Sequence, residues 1–343
     1  MIFIILSLVL LIICIEALSQ YDDILKKIGP YCVVIVLCII SGLRYDVGKD
    51  YMTYKGLYEE TATSGFFQLE PFWLLVNPIL NTLGFASRAW FILTSIFINV
   101  LYFIGIKRMS KDVLLSLLLY VIISTCYVES FNVVRQFVAG AILFASYNYI
   151  IENKPWKYYL CIAFAMLFHY SALIMLPFAI LSKKRFPIVL MWIIFIGAYI
   201  VGNVLIPFVL NSVLPVFSRY AVYADADVES YSGGLKFMYF IIGCGILATS
   251  KYILKRDENN YYYINMSIMG LIWYFVFLDI QVLYRCMFYL TPFLIILIPN
   301  ILYACKPKTR VLLEPIIVLM FLSVTLKMNI GIPYTWDLIL FNK

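Results

Sequence analysis

His169 is the one histidine in 343 residues. It stands in FHYSA (168–172), inside an otherwise apolar stretch from 158 to 182. A neutral imidazole near pH 7 can take a proton from an attacking hydroxyl, so His169 is the first candidate for a general base. Glu70, Glu129, Asp46 and Asp50 compete for that role, and the plain alternative is a histidine bonded to a neighbouring helix. Four arginines, Arg44, Arg135, Arg219 and Arg285, lie apart from the Lys/Arg clusters, as does Arg88. A guanidinium stays charged when partly desolvated and its planar fork suits phosphate oxygens. Four of them facing one cavity would suit a phosphate or pyrophosphate on a lipid carrier. Singly, each also fits a snorkelling side chain or a buried pair such as Arg285 with Asp279. The loop GLRYDVGKDYMTY (42–54) sets Asp46 and Asp50 among Tyr45, Tyr51 and Tyr54. Carboxylates take sugar hydroxyls and aromatic faces pack on sugar C–H groups, although 28 tyrosines also supply interfacial belts. No Cys/His spacing suits a metal, so the eight cysteines read as small apolar residues and no cofactor is expected.

The elements that must position these groups follow from composition. The chain is 64% hydrophobic and 13% charged, far from the soluble range of roughly half apolar and about a quarter charged. Apolar runs recur to the end, which predicts an all-α polytopic membrane protein of about 10–12 spans. It reads as one transmembrane domain over 1–343. Candidate spans are 2–18, 28–43, 88–106, 113–128, 131–151, 187–210, 235–254, 261–283, 286–304 and 311–326. The first lacks a basic lead and a cleavage site, so it reads as a retained span.

Basic clusters at 26–27, 107–111, 154–157, 183–185, 251–256 and 306–310 belong on the cytoplasmic side. For Lys27 and Lys107 to share that side, 66–83 must not cross, and its mixed polarity with Trp73 suits an interfacial helix. The stretch 158–182 has basic residues at both ends, which predicts a re-entrant pair turning near His169, although one tilted span is the alternative. Non-helical backbone at that depth must be buried in protein or face water. This topology puts the loops 44–87 and 211–234, the tail 327–343, His169 and all four arginines on the extracytoplasmic face, although none of those arginines was used to set it. The formal charge of +7 comes from membrane-flanking residues and gives no argument for nucleic acid. No P-loop or dinucleotide fingerprint is present.

The ordered motifs resemble a family: G-L-R-Y-D-V-G-K-D-Y-x-x-Y at 42–54, E-P at 70–71, R-Q-x-x-A at 135–139 and F-H-x-S-A at 168–172. R-Y at 219–220, Y-R at 284–285 and P-Y at 333–334 add weaker matches. The set resembles the EpsG/Wzy-type polysaccharide (O-antigen) polymerases of bacterial surface glycan assembly, over nearly the whole chain. That resemblance implies a GT-C-like glycosyltransferase, metal-independent, in the bacterial cytoplasmic (inner) membrane with its site facing outward. Donor and acceptor would be undecaprenyl-pyrophosphate-linked glycans, with membrane lipids, a flippase and a chain-length regulator as partners. The residues fit those roles: Arg135, Arg219, Arg285 and Arg44 at pyrophosphate, His169, Glu70 or Asp46 at the attacking hydroxyl. Asp50, Tyr45, Tyr51, Tyr54 and Tyr334 would lie at sugar. A lipid-glycan transporter would be expected to show internal repeats, which are not evident. A membrane acyltransferase would place its histidine toward a cytoplasmic acyl donor.

Overall fold

The structure is a computed structural model, described over residues 1–64, 69–205 and 232–337. Its helices are α1 Ile2–Leu18, α2 Asp23–Leu43, α3 Tyr51–Ser64, α4 Pro71–Thr82, α5 Ser87–Met109, α6 Val113–Ile122, α7 Val134–Ser146 and α8 Asn148–Ile151. They continue as α9 Pro155–Met166, α10 Met175–Ser182, α11 Ile188–Ile200, α12 Ser232–Arg256, α13 Asn260–Phe277, α14 Gln281–Tyr284, α15 Leu294–Ala304 and α16 Pro307–Met328. The strands β1 Arg44–Tyr45 and β2 Thr335–Trp336 pair antiparallel, with Arg44 opposite Trp336 and Tyr45 opposite Thr335. Among the described residues five helical segments are long and apolar enough to cross a membrane: Asp23–Leu43, Ser87–Met109, Gly234–Arg256, Arg285–Ala304 and Pro307–Met328. Shorter apolar helices accompany them, and the chain is an all-α polytopic membrane protein.

Local chemistry explains the boundaries. α2 begins five residues before its expected start because Asp22 Oδ1 caps it, accepting from Ile24 N at 2.8 Å and Leu25 N at 3.3 Å. α16 begins at Pro307, whose missing N–H costs nothing at the first helical position. The expected span 286–304 opens with 3-10 turns at Arg285–Tyr289 and Thr291–Phe293.

The chain forms two compact units, residues 1–176 with 298–343, and residues 177–297. In the first, α5 packs between α2 and α7, burying Phe91, Ile98, Tyr102 and Ile106. Arg310 ties α16 to α6, donating to Asp112 Oδ2 at 2.6 Å and to Glu314 Oε2 at 2.8 Å. In the second, α13 packs against α11 and α12. Asn265 Nδ2 donates to the carbonyls of Ser182 and Lys184 at 2.9 and 2.8 Å.

Two stretches of the chain contain no single helix of membrane length. α4 has 12 residues, about 18 Å at 1.5 Å per residue, well short of a hydrocarbon core of ~30 Å. It buries Trp73 and Asn77 while Leu75 and Ile79 stay exposed, as an interfacial helix does. The stretch 158–182 is likewise interrupted. α9 stops at Met166, His169 is extended (φ −162°, ψ 118°), and a 3-10 turn at Tyr170–Ile174 leads into α10.

A candidate active site around Glu70, Arg135 and His169

Three segments far apart in sequence bring one polar side chain each, a carboxylate, a guanidinium and an imidazole, to a common point in the first unit. Glu70 precedes Pro71, which restricts it to extended backbone (φ −66°, ψ 151°) and starts α4 at the next residue. The Glu70 side chain does not cap that helix. It points outward from the helix start and is free to reach other elements. α4 is pinned by Phe72 N donating to Leu167 O at 3.1 Å and by buried Trp73 Nε1 donating to Phe168 O at 2.8 Å. Those two bonds hold the helix break at 167–169 against the start of α4.

The result is a carboxylate shared by two cations or donors. Glu70 Oε1 lies 2.6 Å from His169 Nδ1, and Glu70 Oε2 accepts from Arg135 Nη1 in an ion pair. The Glu70 side chain is 5% exposed, against 22% for Arg135 and 27% for His169. The carboxylate is therefore the buried hinge, and its two partners reach the surface of the site. Burial pushes the Glu70 pKa up, but the His169 hydrogen bond and the Arg135 charge outweigh it, so the net shift is downward. An ionised carboxylate only accepts hydrogen bonds, which puts the shared proton on Nδ1; in the neutral imidazole the lone pair is then on Nε2.

Arg135 is the second residue of α7, at the end where unpaired N–H groups carry positive charge. A cation there is disfavoured, and Glu70 supplies the compensation. The Arg135 guanidinium also lies 5.8 Å from the Tyr54 ring centre. Tyr54 stacks on Trp90 at 5.4 Å, and Trp90 meets Trp73 at 5.2 Å, which closes an aromatic floor back to α4.

The 44–54 loop covers the lead-in to α7. Asp46 and Gly48 take positive φ (51° and 107°), and Lys49 N donates to Asn132 Oδ1 at 2.8 Å. A Cβ on Gly48 would sit 2.7 Å from Phe131 O, so the turn needs glycine for space as well as for φ. Asp46 is exposed and Asp50 half-buried at the edge of this loop.

The other expected site residues divide clearly. Arg44 is 1% exposed. It donates to Ser41 O and to Ser95 Oγ, and lies over the rings of Phe91 and Phe131 at 5.1 and 4.8 Å. Its guanidinium braces the loop base. Tyr51 is buried and stacked on Phe91 at 4.3 Å, while Tyr45 is exposed and meets Tyr51 edge-on at 5.7 Å. Tyr334 Oη donates to Ile40 O at 2.6 Å and ties the tail to α2. Glu129 is half-buried and accepts from Asn132 Nδ2 at 3.2 Å. Arg285 belongs to the second unit, and Arg219 lies outside the described residues. Among the described residues no cluster of three or more His, Cys, Asp or Glu is arranged to hold a metal ion.

Three contributors have no role assigned from the sequence, Asn132, Arg88 and Asp337, and Trp73, which there suits an interfacial helix, also anchors the helix break through Phe168 O. Arg88 donates to the Arg44 carbonyl and pairs with Asp337 at 3.4 Å, joining the tail to the 44–54 loop. The available signal was an arginine near the start of an apolar helix with no basic neighbour, which implies a buried partner.

No curated protein and no solved structure matches the chain. Residues 27–336 match the EpsG family, a range that includes Glu70, Arg135 and His169 and both strands. The chain belongs to the EpsG family, membrane proteins of the polysaccharide-polymerase type.

Proposed function

We propose that this protein is a GT-C-like glycosyltransferase of the bacterial cytoplasmic membrane that joins undecaprenyl-pyrophosphate-linked oligosaccharide repeat units on the extracytoplasmic face. The observation that carries the reading is the single buried carboxylate of Glu70, held between Arg135 and His169. It orients an imidazole whose Nε2 can accept a proton, beside a cation suited to phosphate.

In the reaction, a terminal hydroxyl of the acceptor attacks the anomeric carbon of the donor. The new C–O bond forms as the bond to undecaprenyl pyrophosphate breaks, and the electron pair leaves with the pyrophosphate. The hydroxyl proton passes to His169 Nε2, and Glu70 stabilises the imidazolium so formed. Arg135 offers charge to the leaving pyrophosphate. Asp46, Asp50 and Tyr45 stand at the loop edge where acceptor hydroxyls and ring faces would bind. Direct displacement, the simpler route, inverts the anomeric centre. A flippase supplying the lipid-linked units and a chain-length regulator complete the expected assembly.

Purified protein incubated with one lipid-linked repeat unit should give a product ladder on a gel. A single transfer would indicate a ligase, and no product would favour a transporter. Arg135→Ala should abolish the ladder with protein levels unchanged; full-length polymer from that variant would remove the phosphate role. Cysteines placed at Asp46 and Asp257 should label from outside and inside respectively, and reversal of that pattern would overturn the orientation.

A further inference from the structure

The second unit contains a buried cation that the reaction scheme does not use. Lys236 lies near the start of α12 and is 7% exposed. A lysine within an apolar span is costly and normally has a partner that accounts for it. Its Nζ makes one hydrogen bond, to Gly202 O at 3.3 Å. Among the described residues it forms no ion pair, and the carboxylate whose charge acts on it is Asp279. An ammonium has three donors, so the protein engages it only in part.

The surroundings are built with care. Val201–Leu205 is a π-helical turn at the end of α11, a departure from regular helix that recurs at functional sites. Gly202 presses that turn onto α13, where a Cβ would sit 1.9 Å from Phe275 O. Only glycine permits this approach, and the approach presents the Gly202 carbonyl to Lys236. Tyr239, one turn after Lys236, meets Tyr274 of α13 at 5.0 Å. Tyr274 is fully buried and its Oη has no hydrogen-bond partner. A buried hydroxyl left unpaired is costly, and a bound polar group beside it would remove that cost. Gly202, which Lys236 contacts, packs on Phe275 next to Tyr274, so the ammonium and the phenol belong to one neighbourhood of α13, and the Asp279 charge acts on both. Tyr284 packs on Tyr274 at 6.1 Å, and Arg285 follows it directly. Trp273 Nε1 holds this connection through Leu283 O at 2.7 Å.

We infer that Lys236 and Tyr274 form an anion site in the second unit that takes a phosphate group, with Asp279 as the counter-charge the anion competes against. A point-charge ammonium with a phenolic donor suits a phosphate oxygen. Placing that phosphate on the lipid carrier rests on the polymerase reading; the anion site itself does not.

The test is binding of undecaprenyl pyrophosphate, inorganic pyrophosphate and phosphatidylglycerol to the purified full chain in detergent. Lys236→Gln should weaken binding of the pyrophosphate probes by about tenfold or more, the loss expected for a hydrogen bond to a charged group. Lys236→Arg should largely preserve it, Tyr274→Phe should weaken it, and Asp279→Asn should tighten it. A purely structural Lys236–Asp279 pair predicts the opposite for Asp279→Asn, namely weakening alongside Lys236→Gln. Unchanged binding in Lys236→Gln, no tightening in Asp279→Asn, or no binding of any phosphate probe by the unmodified chain overturns the inference. If Lys236→Gln does not fold, the Asp279→Asn result decides. Binding of undecaprenyl but not inorganic pyrophosphate assigns the site to a lipid headgroup, and equal binding assigns it to free phosphate. Preference for phosphatidylglycerol over both excludes the carrier. A normal ladder with unchanged Lys236→Gln binding sinks this inference alone. No ladder, with the variants behaving as stated, sinks the polymerase reading alone.

Discussion

His169 Nδ1 and Glu70 Oε1 lie 2.6 Å apart although 99 residues separate them in sequence. The contact depends on two interrupted helices. α9 stops short of His169, and Pro71 starts α4 one residue after Glu70. Trp73 then fastens one interruption to the other through Phe168 O. A continuous helix through 158–182 would place His169 on a regular helical face and would remove the exposed end of backbone that Trp73 bonds.

Removing the base should cost far more than removing its orienter's charge alone. His169→Ala and His169→Gln are expected to lower polymerisation by ~10²–10⁴-fold, the usual range for a positioned proton acceptor. Glu70→Gln keeps the shape but no longer fixes the Nδ1–H tautomer, so it should fall between those variants and the unmodified chain. Product ladders with normally folded protein measure this. Polymer at full rate from His169→Gln would transfer the base role to another residue.

The Glu70 carboxyl has a folded pKa below its ordinary value of 4.5. Its contribution to stability is therefore complete above that value and is lost as pH falls through the folded pKa. Melting temperatures of the unmodified chain and Glu70→Gln should differ by a constant amount from neutral pH down to about 4.5 and converge below it. A gap that stays constant to pH 3 would mean that folding does not lower the Glu70 pKa.

Gly48→Ala places a methyl group against Phe131 O in a backbone conformation with φ of 107°. Strain of that kind costs about 1–3 kcal/mol. Because the loop rests on the lead-in to Arg135, the variant should lose polymer yield as well as thermal stability. Gly48→Ala with an unaltered melting temperature would show that the turn relaxes freely.

Arg88 donates to the Arg44 carbonyl as well as pairing with Asp337. Arg88→Gln should therefore destabilise more than Asp337→Asn, whose side chain is 31% exposed. The double variant should show a coupling of roughly 0.5–1 kcal/mol, the lower part of the range for contacting pairs because one partner is solvated. Strict additivity in unfolding measurements would separate the two residues.

Much of this protein is legible in residue order alone. Apolar runs of membrane length specify helical spans because a bilayer offers no partner for unpaired backbone groups. The placement of lysines sets the expected orientation of those spans, and Pro71 marks a helix start through local sterics. The types of the candidate groups are also local facts: one histidine, a carboxylate before proline, an arginine opening a helix. Which of them meet is not local. Arg44 and Arg135 look equivalent in sequence, yet one is enclosed by Phe91 and Phe131 while the other keeps an open edge beside Glu70. Tyr51 and Tyr45 likewise share one motif, and packing against Phe91 buries the first and leaves the second exposed. Lys236 carries no signal in the sequence because its hydrogen-bond partner is a π-helical carbonyl 34 residues earlier. Charge and hydropathy act along the chain, whereas the pairing of a buried carboxylate is decided by which backbone ends the packing brings within 3 Å, a property of the tertiary structure.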